Sequence, residues 1–332
     1  MLHRHSLVLA TTAAALLLTA CGSGTPASVS ASPSASPSGS VSASATPTPT
    51  SSVVVSNTID AIKVTGERLQ APKVTFKAPF AIDQTRTRVE VAGNGAKAVE
   101  TGYVTVHYYG VNGRTGKSFD ESYSRKQTVT FRLDQVIEGF KKGLTGQAEG
   151  SRVLIVMPGS DGYDAAGGTS DGSIAVGDTL IFVVDVVKVS LTEPSGKTIT
   201  PAAGLPTVSA GTGKPTITIP AGAVAPKSMA AQTLIEGTGA KVAKGDTILA
   251  RYLGVSWKTG KVIDDQFDTP SSGELSSTIP GWQAGLVGKR VGSRVMLVLP
   301  PKDGFPQGSN NPPVEAGDTV VYVVDLLFAY SA

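Results

Sequence analysis

The sequence is short of the side chains on which most enzymes rely. Its 332 residues include one cysteine, Cys21, close to the N-terminus. The rest of the chain therefore has no disulfide and no thiol nucleophile. Of three histidines, His3 and His5 lie in the same N-terminal stretch, leaving His107 alone. A histidine-based triad or a Cys/His zinc site is thus nearly excluded. Charge of one sign is also missing: 29 Lys and Arg face 26 Asp and Glu, a net +3. Phosphate recognition needs a concentrated basic face, so nucleic acid is not an expected partner. Aromatic residues make up only 6%, while 40% of the chain is hydrophobic, enough for packed cores in which each ring counts. Whatever the chain catalyses must proceed without a strong nucleophile or metal, and no cofactor is expected.

What is present begins with a leader. Met1 to Arg4 is positive, and Leu7 to Ala20 is apolar but too short for a permanent membrane span. It ends Leu18-Thr19-Ala20-Cys21-Gly22, which resembles a bacterial lipoprotein signal. The resemblance implies cleavage before Cys21, a lipid on Cys21 and attachment to the outer face of the cytoplasmic membrane. From Gly22 to Ser56 only Gly, Ser, Thr, Pro, Ala and Val occur. Such a segment buries too little apolar surface to offset its ordering entropy, so a flexible tether is expected.

Folded sequence is expected from Asn57. Short β-branched runs alternate with Gly, Pro and Asp turns: Lys73 to Phe76, Arg88 to Val91, Val104 to Tyr109, Val129 to Leu133, Val153 to Met157 and Thr179 to Val189. One short helix is indicated, from about Val136 to Leu144. The pattern predicts an α+β fold with a mainly antiparallel sheet. It stops near Ser190, and a more polar, proline-bearing stretch from Leu191 to Pro206 marks a linker.

The pattern then repeats. Val136-Ile137-Glu138-Gly139-Phe140 returns as Ile279-Pro280-Gly281-Trp282 after Thr278, and Gly150-Ser151-Arg152-Val153 as Gly292-Ser293-Arg294-Val295. Gly177-Asp178-Thr179 returns as Gly317-Asp318-Thr319, and Val183-Val184-Asp185 as Val323-Val324-Asp325. The expected organisation is a signal (1–20), a lipidated cysteine and tether (21–56), a first domain (57–190), a linker (191–206) and a second domain (207–332).

Each repeat resembles an FKBP-type peptidyl-prolyl cis-trans isomerase domain. In the first, the matching segments are Val106 to Gly110, Gly116 to Asp120, Val136 to Phe140, Gly162-Tyr163 and Leu180 to Val187. The resemblance implies a half-barrel antiparallel sheet wrapped round one short helix. It also implies roles. In domain 1, Tyr108, Phe119, Val136, Ile137, Phe140, Ile174 and Phe182 would line an apolar pocket. Asp120 would stand at its edge, held by Arg125, and Tyr163 would offer its hydroxyl to a substrate carbonyl. The usual tryptophan floor is Phe140 here, and one aromatic of the family is replaced by Val129. In domain 2, Tyr252, Asp264, Ile279, Trp282 and Tyr322 match. Ile263 replaces the pocket Phe, Val314 replaces Ile174, Thr269 stands in place of Arg125, and Phe305 replaces Tyr163. Domain 1 is thus the expected better catalyst.

The implied partners are proline-containing exported polypeptides, the membrane through Cys21, and macrolide ligands of the family. Two rival readings stand beside this one: a chaperone that keeps the pocket without the catalysis, and a plain β-rich surface lipoprotein. Two other motifs are set aside. Gly110 to Ser118 ends like a phosphate loop, but Val111 stands where its first glycine is required and no helix follows. Asp161, Asp164 and Asp171 fit no standard calcium-loop spacing.

Overall fold

A computed structural model describes residues 54–331. The leader, Cys21 and the tether as far as residue 53 lie outside the described residues. Ordered pairing begins just ahead of the expected start at Asn57, since Val55–Ser56 runs parallel to Ala81–Ile82.

Each repeat builds one antiparallel sheet. In domain 1 the order is Arg86–Val91, Arg152–Met157, Leu180–Val189, then Tyr103–Asn112. Both Ser118–Glu121 and Val129–Arg132 pair with the last of these. In domain 2 the order is Gly196–Thr198, Ala230–Gly237, Arg294–Leu299, Val320–Tyr330, Thr247–Ser256, and both Val262–Asp265 and Ser271–Glu274 pair with Thr247–Ser256. The segment read as a linker thus supplies an edge strand, with Gly196 opposite Gly237.

The helices α1 (Glu138–Leu144) and α2 (Pro280–Leu286) are two turns long and lie on the concave face. Alone they would be too short to persist in water. Packing holds them. Gly139 and Gly143 share the face of α1 turned to the sheet, and a Cβ on either would collide with Met157 or Ile155. Gly281 and Gly285 do the same against Leu299 and Leu297. Absent side chains let the helix axis drop onto the strand, which fixes the ring that the same turn carries.

The central strands Arg152–Met157 and Arg294–Leu299 are buried at every residue. A half-wet strand would alternate. Here both faces are covered. On the convex side of domain 1 an N-terminal arm packs Ile59, Ile62, Val64, Val74, Phe76 and Phe80 against Leu154, Val156, Ile181 and Val183. In domain 2, Leu205, Val208, Ile217 and Ile219 cover Met296, Val298, Val321 and Val323 in the same way. The domains meet where the Tyr103 ring stacks on Phe328, with centroids 5.9 Å apart, and its hydroxyl lies 2.8 Å from Ser272 Oγ. The Leu191 N–H also donates to the Leu327 carbonyl at 2.9 Å.

Candidate active site

Alternation along Tyr103–Asn112 sends Val106 and Tyr108 inward and Tyr109 to the arm side. Inside, Phe182 of the central strand lies at the bottom of a group of rings. Phe140 from α1 is 4.6 Å from it by centroid, at 57°, and Phe119 meets it edge-on at 5.4 Å and 88°. Tyr108 stands 6.5 Å away. Gly110 makes room for this, because a Cβ there would sit 2.7 Å from Phe119 and 2.9 Å from Phe182. Val136 approaches the helix in extended conformation, and Ile137 is its N-cap. Ile174 is buried beneath, while Phe119, Val136, Ile137, Phe140 and Tyr163 remain partly exposed. The floor is therefore reachable from solvent.

Tyr108, Phe119, Val136, Ile137, Phe140, Tyr163, Ile174 and Phe182 all join this cluster, and the sequence reading missed one ring. Phe131 stands edge-on to Phe140 at 5.9 Å and 72°. Val129 is 37% exposed, so the ring beside the floor comes from two residues further along. The signal was available: Phe131 has the same parity as the fully buried Leu133.

The rim is polar. The Tyr108 hydroxyl donates to Asp120 Oδ2. Arg125 Nη1 donates to Asp120 Oδ1 at 2.9 Å, and its Nη2 to the Tyr108 oxygen at 2.9 Å. Burial and then the hydrogen bond to Asp120 push the Tyr108 hydroxyl up to about 12, so it stays a donor. The Tyr163 hydroxyl is also pushed up, first by burial and then by Asp120. Among the described residues it has no hydrogen-bond partner.

Domain 2 repeats the box with a tighter floor. Trp282 is 8% exposed, with Tyr252 edge-on at 4.8 Å and Tyr322 at 5.5 Å. Ile263, Ile279 and Phe305 line it half-buried, and Val314 is buried beside them. Asp264 has no ion-pair partner among the described residues, because position 269 is threonine. Burial pushes its carboxyl above the usual range. Burial likewise raises Tyr252 and Tyr322.

Asp161, Asp164 and Asp171 do not converge. Asp161 takes the Lys142 ammonium and the Thr85 hydroxyl, Asp164 takes the Gly177 N–H, and Asp171 takes Ser173. No group of carboxylates and histidines with metal-holding geometry occurs among the described residues.

An open apolar box edged by hydroxyl donors suits the amide rotation that the FKBP resemblance implies. Rotation about an X-Pro amide crosses roughly 18–20 kcal/mol without breaking a bond. The planar amide is more polar than the twisted one and loses more hydration on entering an apolar box. A thousand- to ten-thousandfold acceleration corresponds to roughly 4–5.5 kcal/mol, within reach of desolvation and one or two hydrogen bonds.

Comparison with known proteins agrees. The family model for FKBP-type peptidyl-prolyl cis-trans isomerase matches residues 95–187 and again 238–327. A probable FK506-binding protein of Corynebacterium glutamicum is 37% identical over 97 residues, covering 29% of this chain and 80% of that protein. An FK506-binding protein of Streptomyces anulatus is 40% identical over 99 residues, covering 29% of this chain and 79% of that one. The crystal structure of FkpA from Escherichia coli aligns at 34% identity with a TM-score of 0.29, over 32% of this chain and 47% of that one. With two matched segments spanning more than half its length, the chain belongs to the FKBP-type peptidyl-prolyl cis-trans isomerases and carries two domains of that family.

Proposed function

We propose that the chain is a lipid-anchored isomerase working outside the cytoplasmic membrane on proline-limited folding of exported polypeptides, and that domain 1 carries most of the turnover. The anchoring rests on Leu18 to Gly22 and on Cys21 being the sole cysteine. The ranking rests on one contrast: Tyr163 keeps an uncommitted hydroxyl at the domain 1 box, and Phe305 has none. In this reading Tyr108, Phe119, Asp120 and Tyr163 act on the twisting amide. Val136, Ile137, Phe140, Ile174 and Phe182 hold the prolyl ring. Domain 2, through Tyr252, Asp264, Ile279, Trp282, Phe305 and Tyr322, binds proline segments and turns them over slowly. Macrolides of the kind named in the relatives would enter the domain 1 box first.

The test is an isomerase assay on a short X-Pro peptide with the full chain carrying Phe119→Ala or Trp282→Ala. The first should remove most of the activity and the second little. The reverse order would overturn the ranking. Lipid labelling of the chain in its cell, lost in Cys21→Ala, tests the anchor.

A further inference from the structure

On the convex face of domain 1, away from the isomerase box, lies a cavity of about 670 Å³ walled by His107, Tyr109, Glu121 and Tyr123, with Leu69 and Ala71 of the arm across from them. That volume is in the range of ligand pockets. The second repeat shows what the same place holds when it is full. Sheet register pairs His107 with Asp185 and Arg251 with Asp325, so His107 and Arg251 are equivalent. It also pairs Tyr109 with Glu121 and Leu253 with Asp265.

In domain 2 two cations of the chain fill this site. Arg251 lies over the Phe267 ring at 4.2 Å, and its Nε donates to Asp325 at 2.8 Å. Lys214 of the arm, just before Pro215, reaches Asp265 at 2.7 Å. Domain 1 has lost both. His107 is shorter than arginine and stacks on Tyr123 at 4.9 Å and 18°. Ala71, just before Pro72, stands where Lys214 would be. Of the two carboxylates, the counterpart of Asp265 is kept as Glu121, whereas Asp185, the counterpart of Asp325, already takes Arg152 and the Tyr123 hydroxyl. Glu121 accepts the Ser124 N–H at 2.9 Å and has no ion pair among the described residues. Tyr109 adds a ring where domain 2 has Leu253, and Tyr123 keeps the ring of Phe267 with one face covered by His107. Leu69, apolar and 42% exposed, offers a surface to a side-chain stem.

We propose that this cavity binds the guanidinium of an arginine side chain from outside the domain, with Glu121 as counter-charge and the tyrosine rings as walls. Domain 2 makes the two kinds of contact separately within its own chain, Arg251 over Phe267 beside Asp325 and Lys214 on Asp265, the counterpart of Glu121. Lys126, exposed and on the same lining, opposes a cation and sets part of the affinity. The site lies on the far side of the sheet from Phe140 and Tyr163, so an arginine-bearing polypeptide held there leaves the isomerase box free.

The experiment titrates the full chain with a proline-free peptide containing one arginine, and separately with N-acetyl-arginine amide. Heat of binding and the imidazole NMR signal of His107 are both followed. Saturable one-to-one binding that shifts the His107 signal is expected. It should weaken roughly tenfold in Glu121→Gln, strengthen in Lys126→Ala and vanish in His107→Arg, where the chain supplies its own guanidinium. Activity on a short X-Pro peptide should be unchanged in all three. Tighter binding of the peptide than of the amide identifies a polypeptide as the source, and equal binding identifies free arginine. A His107 signal unmoved at saturating ligand, or binding that survives His107→Arg, overturns the proposal. The NMR readout needs only the unaltered chain, so it holds even where a variant does not fold.

Discussion

Arg152 and Asp185 face each other across adjacent strands through two bonds of 2.8 Å, with 1% and 0% of their side chains exposed. The other guanidinium protons reach into the arm. Nη1 donates to the Gly66 carbonyl and Nη2 to that of Gln70, while Asp185 accepts the Leu69 N–H and the Tyr123 hydroxyl. Arg294 and Asp325 repeat the device against Gly211, Thr212 and Gly213. Each domain thus pins its own N-terminal arm with a buried pair.

Removing one partner leaves a buried charge alone. Asp185→Ala should destabilise domain 1 by about 3–5 kcal/mol, measured by chemical denaturation. Amide exchange in the 59–82 arm should rise before the rest of the domain. A normal exchange pattern in the arm would show that the pair does not pin it.

In the proposed reading the Tyr163 hydroxyl acts on the substrate amide, and among the described residues it makes no hydrogen bond that would support the fold. Tyr163→Phe should lower kcat/KM on a short X-Pro peptide by about fivefold, the worth of one hydrogen bond near 1 kcal/mol, with no change in melting temperature. Phe305→Tyr should raise the activity that remains in a Phe119→Ala chain.

Asp264 gives domain 2 a pH dependence of definite sign. Burial raises its carboxyl in the folded state above the unfolded value. The folded chain therefore binds the proton more tightly, and stability from this group falls as pH rises through the two values. Asp264→Asn should raise the domain 2 melting temperature at pH 7. That gain should shrink as pH falls below the raised value, as thermal scans at several pH values would show. An equal effect at all pH values would mean that burial does not disfavour the charge.

Tyr103 joins the domains through Phe328 and Tyr330, at 5.9 and 5.8 Å. Such ring pairs contribute about 0.5–1.5 kcal/mol each beyond area burial. Tyr103→Ala should separate the calorimetric unfolding of the two domains into resolved transitions while leaving the pocket NMR signals of domain 2 in place. One unsplit transition in the variant would show that the coupling lies elsewhere.

Periodicity and repetition by themselves determined the two antiparallel sheets, the single short helix in each, and the ring on that helix, because alternating β-branched runs and a Gly-spaced turn leave few other packings. The ordered match of short segments carried the family, and with it the residues of the box. Tertiary structure alone decided the rest. Phe131 entered the box by strand parity, which no motif marks. Of the arms over the convex faces only the run from Lys73 to Phe76 was legible, because their other apolar residues are sparse and nonperiodic, and what recruits them is an Arg–Asp pair more than 30 residues apart in sequence. The repeated Gly-Ser-Arg-Val and Val-Val-Asp segments gave no hint of each other until the sheet placed them side by side. Only that register shows where one domain supplies a cation from its own chain and the other leaves the place open, because a carboxylate's partner is set by what lies across the strand and not by what lies along it.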